Sequence, residues 1–243
     1  MNVAERRGRA VLLTTGGHDC PYLPDRTACS QFLHPLEPVD TTLYELLLHR
    51  GFRRSGAYVY RPACPSCDAC RSLRIPVAAF RPRRRHRRCL KRNRELHLET
   101  RPPRLTEEQY RLYLDYLRHR HPESDMTGPD IATAAGFLDA PWCESVFYEF
   151  RDGPEGRLLA VAVTDVLPDA LSAVYTFYAP DAAHRGLGTL AILWQIHEAR
   201  RLGLRHLYLG YWVDGSQTME YKADFRPHEC FAGDRFRPVP PNE

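Results

Sequence analysis

Apolar and polar positions along this chain switch between helical and strand periods, and the switches mark out its elements. Leu43, Leu46 and Leu47 recur at helical spacing behind Asp40, with Gly51 just beyond, which predicts a capped helix over residues 41–50 stopped by glycine. Residues 52–61 read as a strand or hairpin. After Pro102-Pro103, Thr106 and Gln109 form a capping box, and Tyr110, Tyr113, Leu114 and Leu117 share one face of the helix that follows. β-Branched and aromatic runs at 158–166 and 171–178, parted by Pro168-Asp169, predict an antiparallel hairpin. Leu190, Leu193, Ile196 and Ala199 predict a helix ended by Gly203, with a further strand at 206–213. Strand, glycine-bearing turn, helix and strand make an α/β unit whose helix start offers backbone N–H groups to an anion.

Length allows one good core or two modest domains in the 243 residues, 43% of them hydrophobic. No run of eighteen apolar residues occurs, and Met1 to Cys20 lacks a signal-peptide core, so a soluble, cytoplasmic protein without a membrane partner is expected. In that compartment the eight cysteines read as reduced thiols or metal ligands. Charge changes the picture more. The net +4 hides a tract from Arg81 to Arg94 with nine Lys or Arg in fourteen positions and no acid, on a remainder with 25 basic and 30 acidic residues. A solvated helix face or a targeting run is the plain alternative. Arginine dominance favours phosphate, because its planar fork grips phosphate oxygens and stacks on bases. Arg83, Arg84, Arg87, Arg88, Lys91 and Arg92 are therefore candidate RNA contacts. The chain divides into a Cys- and Arg-rich segment at 1–94 and an α/β segment at 95–243.

The turn His184-Arg185-Gly186-Leu187-Gly188-Thr189 resembles the cofactor turn of the GNAT acetyltransferases, which implies a GNAT-like core in the C-terminal part. Leu190 stands where that turn needs a small residue, so a branched side chain crowds the approach to a pyrophosphate and argues against acetyl-CoA. Longer matches point elsewhere. The segments Gly51-Phe52-Arg53-Arg54-Ser55-Gly56, Tyr58-Val59-Tyr60-Arg61-Pro62, Phe80-Arg81-Pro82 and Gly210-Tyr211-Trp212-Val213 through Met219-Glu220-Tyr221-Lys222 resemble the aminoacyl-tRNA-protein transferase family, as does Cys20-Pro21-Tyr22-Leu23-Pro24-Asp25-Arg26. The resemblance runs from about Cys20 to Glu229, and length and Cys spacing are most similar to its bacterial leucine-transferring branch.

That resemblance implies transfer of leucine from leucyl-tRNA to the N-terminal amine of proteins beginning with Asp or Glu, tagging them for degradation. Arginine remains an alternative donor. An aminoacyl ester is already activated, so no cofactor is required for transfer, and no Gly-rich Lys-Ser/Thr phosphate loop is present. In a GNAT-like core the strands flanking the helix hold the ester, which nominates Tyr178, Tyr211 and Asp214 for the catalytic region. Against this, tyrosines of such strands can be buried sheet residues, and Asp214 before Gly215 can be only a turn. Selecting an acidic terminus calls for a fixed cation, for which Arg185, Lys222 and Arg226 are candidates, with surface ion pairing the alternative for each.

Cys64-x2-Cys67-x2-Cys70, with Cys20 to complete four, is the candidate set for an iron-sulfur cluster or zinc, against free thiols. The expected partners are leucyl-tRNA and proteins with N-terminal Asp or Glu, not DNA. Two other function classes stay open at this point: an acetyl-CoA-dependent acetyltransferase, and a non-enzymatic RNA-binding protein built around Cys64 to Arg94.

Overall fold

A computed structural model describes residues 10–120 and 130–240; the first nine residues of the Met1–Cys20 stretch lie outside them. The N-terminal part runs β1 (Leu12–Thr14), β2 (His18–Asp19), β3 (Thr27–Ala28), β4 (Ser30–Leu33), α1 (Thr41–Leu48), β5 (Arg53–Ser55), β6 (Tyr58–Pro62), β7 (Cys70–Pro76) and α2 (Arg84–Arg92). There follow β8 (His97–Arg101), α3 (Glu107–Arg120), α4 (Ile131–Leu138), β9 (Ser145–Arg151), β10 (Leu158–Val166), β11 (Ala170–Tyr178), α5 (Leu187–Arg201), β12 (His206–Val213), β13 (Glu229–Ala232) and β14 (Arg235–Pro238).

Local chemistry sets the ends as expected. Asp40 caps α1 through Oδ1, which accepts from Leu43 N at 2.7 Å, and Gly51 follows at φ 81°. Thr106 and Gln109 exchange the two bonds of a capping box ahead of α3. Gly186, at φ 71°, opens α5, whose Leu187, Ala191, Leu193, Ile196 and Ala199 are buried.

One large sheet organises the molecule, in the order β14-β13-β7-β12-β11-β10-β9-β8. β10 is buried over nearly its whole length because elements cover both faces, so it reads as a continuous apolar run. β11 and β12 are the parallel pair, and α5 is the crossover such a pair requires. This mixed α/β core is the fold class the turn implied. β7 lies before the division expected at residue 94, yet it pairs on one edge with β12 and on the other with β13. Both sequence segments thus build one sheet.

A second sheet, β1-β4-β6-β5, lies over a smaller core in which Tyr44, Leu48, Phe52 and Val59 meet Tyr208 and Ala170 of the large sheet. It is pinned by a buried ion pair. Arg54 reaches Asp165 on β10 with Nε–Oδ2 of 2.7 Å and Nη2–Oδ1 of 2.6 Å, and donates also to Leu138 O and Ser145 Oγ. Both side chains are fully enclosed, so removing either partner strands a charge, at a cost of about 3–5 kcal/mol.

Candidate active site

The cleft arises where two strands part. Parallel pairing between β11 and β12 extends only from Ala170↔His206 to Ser172↔Tyr208. Just past that point the register of β12 against β7 shifts between Tyr208 and Tyr211, with Gly210 at φ 69°. The bulge turns Tyr208 and Tyr211 to the same side, toward the small sheet. Tyr211 Oη donates to the carbonyls of Gly51 and Tyr60, each at 3.1 Å. A Cβ on Gly210 would lie 3.1 Å from Nη1 of Arg53, so any other residue would be strained by the backbone angle and would crowd the guanidinium.

Two basic side chains meet at this bulge. Strand alternation sends Arg54 to Asp165 and its neighbour Arg53 the other way, where its guanidinium stands 5.9 Å from the Tyr60 ring centre and 5.8 Å from that of Tyr211. Lys222 sits in a 3-10 turn at Glu220–Asp224, is 6% exposed, and donates from Nζ to Tyr211 O at 2.6 Å. Burial first, and then the Arg53 charge, push its pKa down to about 7. Among the described residues neither Arg53 nor Lys222 has a carboxylate within ion-pair distance.

Tyrosines form the opposite wall. Tyr178 meets Tyr116 edge-on at 4.9 Å, and Tyr175 packs against Tyr113, Tyr116 and Phe137. The Tyr175 hydroxyl is buried without a partner, an unspent donor beside the splay. Burial, then Tyr178, raise the Tyr116 hydroxyl to about 12, so it stays a hydrogen-bond donor at neutral pH.

The basic tract abuts the same site. It forms helix α2, in which His86 and Cys89 are buried while Arg83, Arg84, Arg87, Arg88, Lys91 and Arg92 are exposed. His86 stacks on Phe225 at 5.0 Å, and Arg85 pairs with Asp224, so the cationic helix is fastened to the turn that carries Lys222. A polyanion held on α2 would lie next to the cleft.

Comparison with known proteins decides the family. Residues 18–88 match the N terminus, and residues 108–232 the C terminus, of the arginine-tRNA-protein transferases. The chain belongs to the arginine-tRNA-protein transferase family. Within it, the chain is 62% identical to an aspartate/glutamate leucyltransferase of Halorhodospira halophila, over 95% of this chain and 98% of that one. The protein of the same name from Alkalilimnicola ehrlichii is 57% identical (95% and 96% covered), and that from Pseudomonas aeruginosa strain PAO1 51% identical (94% and 96%). A solved C-terminal domain of a putative lysylphosphatidylglycerol synthetase from Agrobacterium fabrum superposes with a TM-score of 0.49 at 13% identity, covering 70% of this chain and 58% of that one.

For a transferase of this family, the residues nominated from sequence divide three ways. Tyr178 stands on β11 beyond its last pair with β12, against Tyr116, and Lys222 at the β12 bulge, bonded to Tyr211 O. Tyr211 is there too, but its hydroxyl is committed to two carbonyls, so it supports Arg53 and Lys222 and has no free hydroxyl for an oxyanion. Asp214 is exposed in the turn after β12. Arg185 is engaged elsewhere: its side chain pairs with Glu95, lies 3.9 Å from Asp152 and donates to Asn93 Oδ1, joining the end of α2 to the turn before α5. Arg226 donates to Pro240 O at 2.6 Å and is tied to the C-terminal segment. Arg53 was passed over as a site residue, although two adjacent arginines in an aromatic strand signal that one must face each side.

The four N-terminal cysteines are neighbours. The thiols of Cys20, Cys64 and Cys67 act on Cys70, which burial above all raises to about 11, while Cys64 Sγ accepts from Cys29 N at 3.4 Å. Among the described residues no group of three or more His, Cys, Asp or Glu side chains is arranged to hold a metal ion.

Proposed function

We propose that the protein transfers leucine from leucyl-tRNA to the α-amine of polypeptides that begin with Asp or Glu, marking them for degradation. One observation carries the reading of the acceptor: half-buried Arg53 and buried Lys222 meet at the β12 bulge, and among the described residues no carboxylate stands within ion-pair distance of either. An unpaired cation in such a place awaits an anion, and the side chain of an acidic first residue supplies it in bidentate form. Arg53 is the main carboxylate contact. Names of relatives 51–62% identical support leucine as the donor group.

The chemistry needs little beyond placement. The α-amine, with an ordinary pKa of about 7.7–8.0, attacks the ester carbonyl, and the ribose hydroxyl leaves. A hydroxyl donor to the tetrahedral oxyanion is worth about 2.7–4 kcal/mol, and Tyr175 and Tyr178 line the splay where such a donor is needed. The exposed cations of α2 hold the tRNA by its phosphates. No described helix is long and apolar enough to cross a membrane, and tRNA as substrate fits a cytoplasmic site of action. An acetyl-CoA role gains no support from the geometry, since Leu190 in the first turn of α5 is a branched, buried residue that packs with the core.

The test is to incubate the protein with separately charged leucyl- and arginyl-tRNA and with peptides starting in Asp, Glu or Ala, then weigh the products. Leucine added to the Asp and Glu peptides alone is expected. Transfer from arginyl-tRNA only, or equal modification of the Ala peptide, would overturn the assignment.

A further inference from the structure

Two basic groups share the bulge of β12, and only one of them can give up its proton. Lys222 Nζ is buried and bonded to Tyr211 O at 2.6 Å, while Arg53 Nη1 lies against Gly210, the preceding residue on the strand. Two other buried ions are matched: Arg54 has Asp165, and Glu149 has Arg151 at 2.8 Å. Like charges in a desolvated space oppose one another, and a guanidinium keeps its proton where an ammonium does not. Around Lys222 stand Arg53 from β5 and Tyr211 from β12. On its own turn are exposed Glu220 and Tyr221, and Asp224, which is engaged by Arg85. No group in that set offsets the Arg53 charge at Nζ. A Lys222 pKa near 7 agrees with this geometry.

We propose that Lys222 is the general base of the transfer, its neutral amine form taking a proton from the acceptor's α-ammonium as the acceptor's carboxylate settles against Arg53. The inference rests on the aminoacyl-transfer reading above. Of the three ammonium protons, one goes to Nζ, one leaves on the ribose hydroxyl and one stays on the new amide. The freed nitrogen lone pair forms the C–N bond, the C–O bond to the ribose breaks, and Lys222 returns its proton to water as product departs. In Asp and Glu the carboxylate and the α-nitrogen are only a few bonds apart, so one side chain can face both. The arriving carboxylate neutralises Arg53 and makes protonated Lys222 favourable. An acidic first residue is therefore selected in kcat as well as in KM.

The experiment compares wild type, Lys222→Arg and Lys222→Met in leucine transfer to an Asp-starting peptide from about pH 6.5 to about pH 8.5, a window that spans the free amine's own pKa. Lys222→Arg places a permanent cation there that cannot accept a proton. It should hold KM within about 3-fold and lose kcat at least about tenfold at pH 7, the loss shrinking as the amine deprotonates unaided. Wild-type kcat with an unmoved pH profile would overturn the base and leave Lys222 a fixed charge. Should Lys222→Arg not fold, Lys222→Met is assayed with an Asp peptide whose α-amine is made less basic by fluorination. A smaller loss on that peptide supports the base, and an equal loss overturns it. A wild type that transfers nothing from any charged tRNA brings down the underlying reading, which is a distinct result from a transferring enzyme whose variants keep the wild-type profile.

Discussion

Replacing Gly210 with Ala separates backbone strain from site geometry, because the fold contains its own control. Gly210 and Gly233 both hold φ at 69°, but a Cβ on Gly233 meets no atom within 4 Å, whereas on Gly210 it would stand 3.1 Å from Arg53 Nη1 and 3.5 Å from Cζ. The left-handed backbone alone costs an L-residue about 1–2 kcal/mol. Each variant should therefore lose that much stability, a fall in Tm of about 2–8 °C for a chain of this length. Only Gly210→Ala also displaces the guanidinium. A charged hydrogen bond is worth about 1.5–3 kcal/mol, and misaligning half of it forfeits about 1 kcal/mol, or roughly fivefold in KM for Asp- and Glu-starting peptides. Chemical denaturation and peptide kinetics on both variants make the assay. Equal KM changes in the two, or an unchanged KM in Gly210→Ala at the expected stability loss, would refute the placement of Arg53 at the acceptor site.

Three further outcomes follow from other parts of the molecule. Changing Arg84, Arg87 and Arg88 together to Gln should weaken tRNA binding and lower the slope of log affinity against log salt by about 2–3, as filter binding across salt concentrations would read; an unaltered slope would remove α2 from the RNA surface. His206 and His228 are both pushed down to about 4, chiefly by burial, so the folded protein keeps them neutral while unfolded chain takes up protons below about 6.5. Stability should accordingly drop as pH falls from about 6.5 to about 4, and His228→Gln should flatten that drop; a parallel curve for the variant would contradict the cause. Asp165→Asn should cost about 3–5 kcal/mol in denaturant unfolding by stranding Arg54, and a loss under about 1 kcal/mol would show that the hairpin is not anchored there.

Elements whose information is local were legible from the chain. The β10–β11 hairpin follows from two apolar runs and a Pro-Asp turn, and α5 from residues three apart between two glycines. What escaped depends on distant partners. β7, between the cysteines and the arginines, has no element assigned to it from sequence, because β12 and β13, far along the chain, supply its ladder bonds. The tract at 81–94 announced its charge and hid its helix, since within Arg84–Arg92 only His86 and Cys89 are buried and a run of arginines has no apolar period.

The site shows the same division. Arg53 and Arg54 are chemically identical neighbours, and only Asp165, 111 positions beyond Arg54, tells which one is neutralised. Arg185 looked available because Glu95 and Asp152 approach it from other elements, and Tyr211 looked reactive because the carbonyls that occupy its hydroxyl lie in the turn after α1 and on β6. A motif locates the cleft. The ion-pair ledger of the folded chain assigns the roles within it.

The central claim, that Arg53 reads the acceptor's acidic side chain, is tested most directly by a double-mutant cycle. Leucine transfer is measured for wild type and Arg53→Met, each with peptides starting in Asp and in Asn, and the four kcat/KM values are combined into one coupling energy. A coupling of about 1.5–3 kcal/mol is predicted, because each change alone removes the same contact. Additive effects, with a coupling near zero, would place the acidic side chain elsewhere and contradict the account.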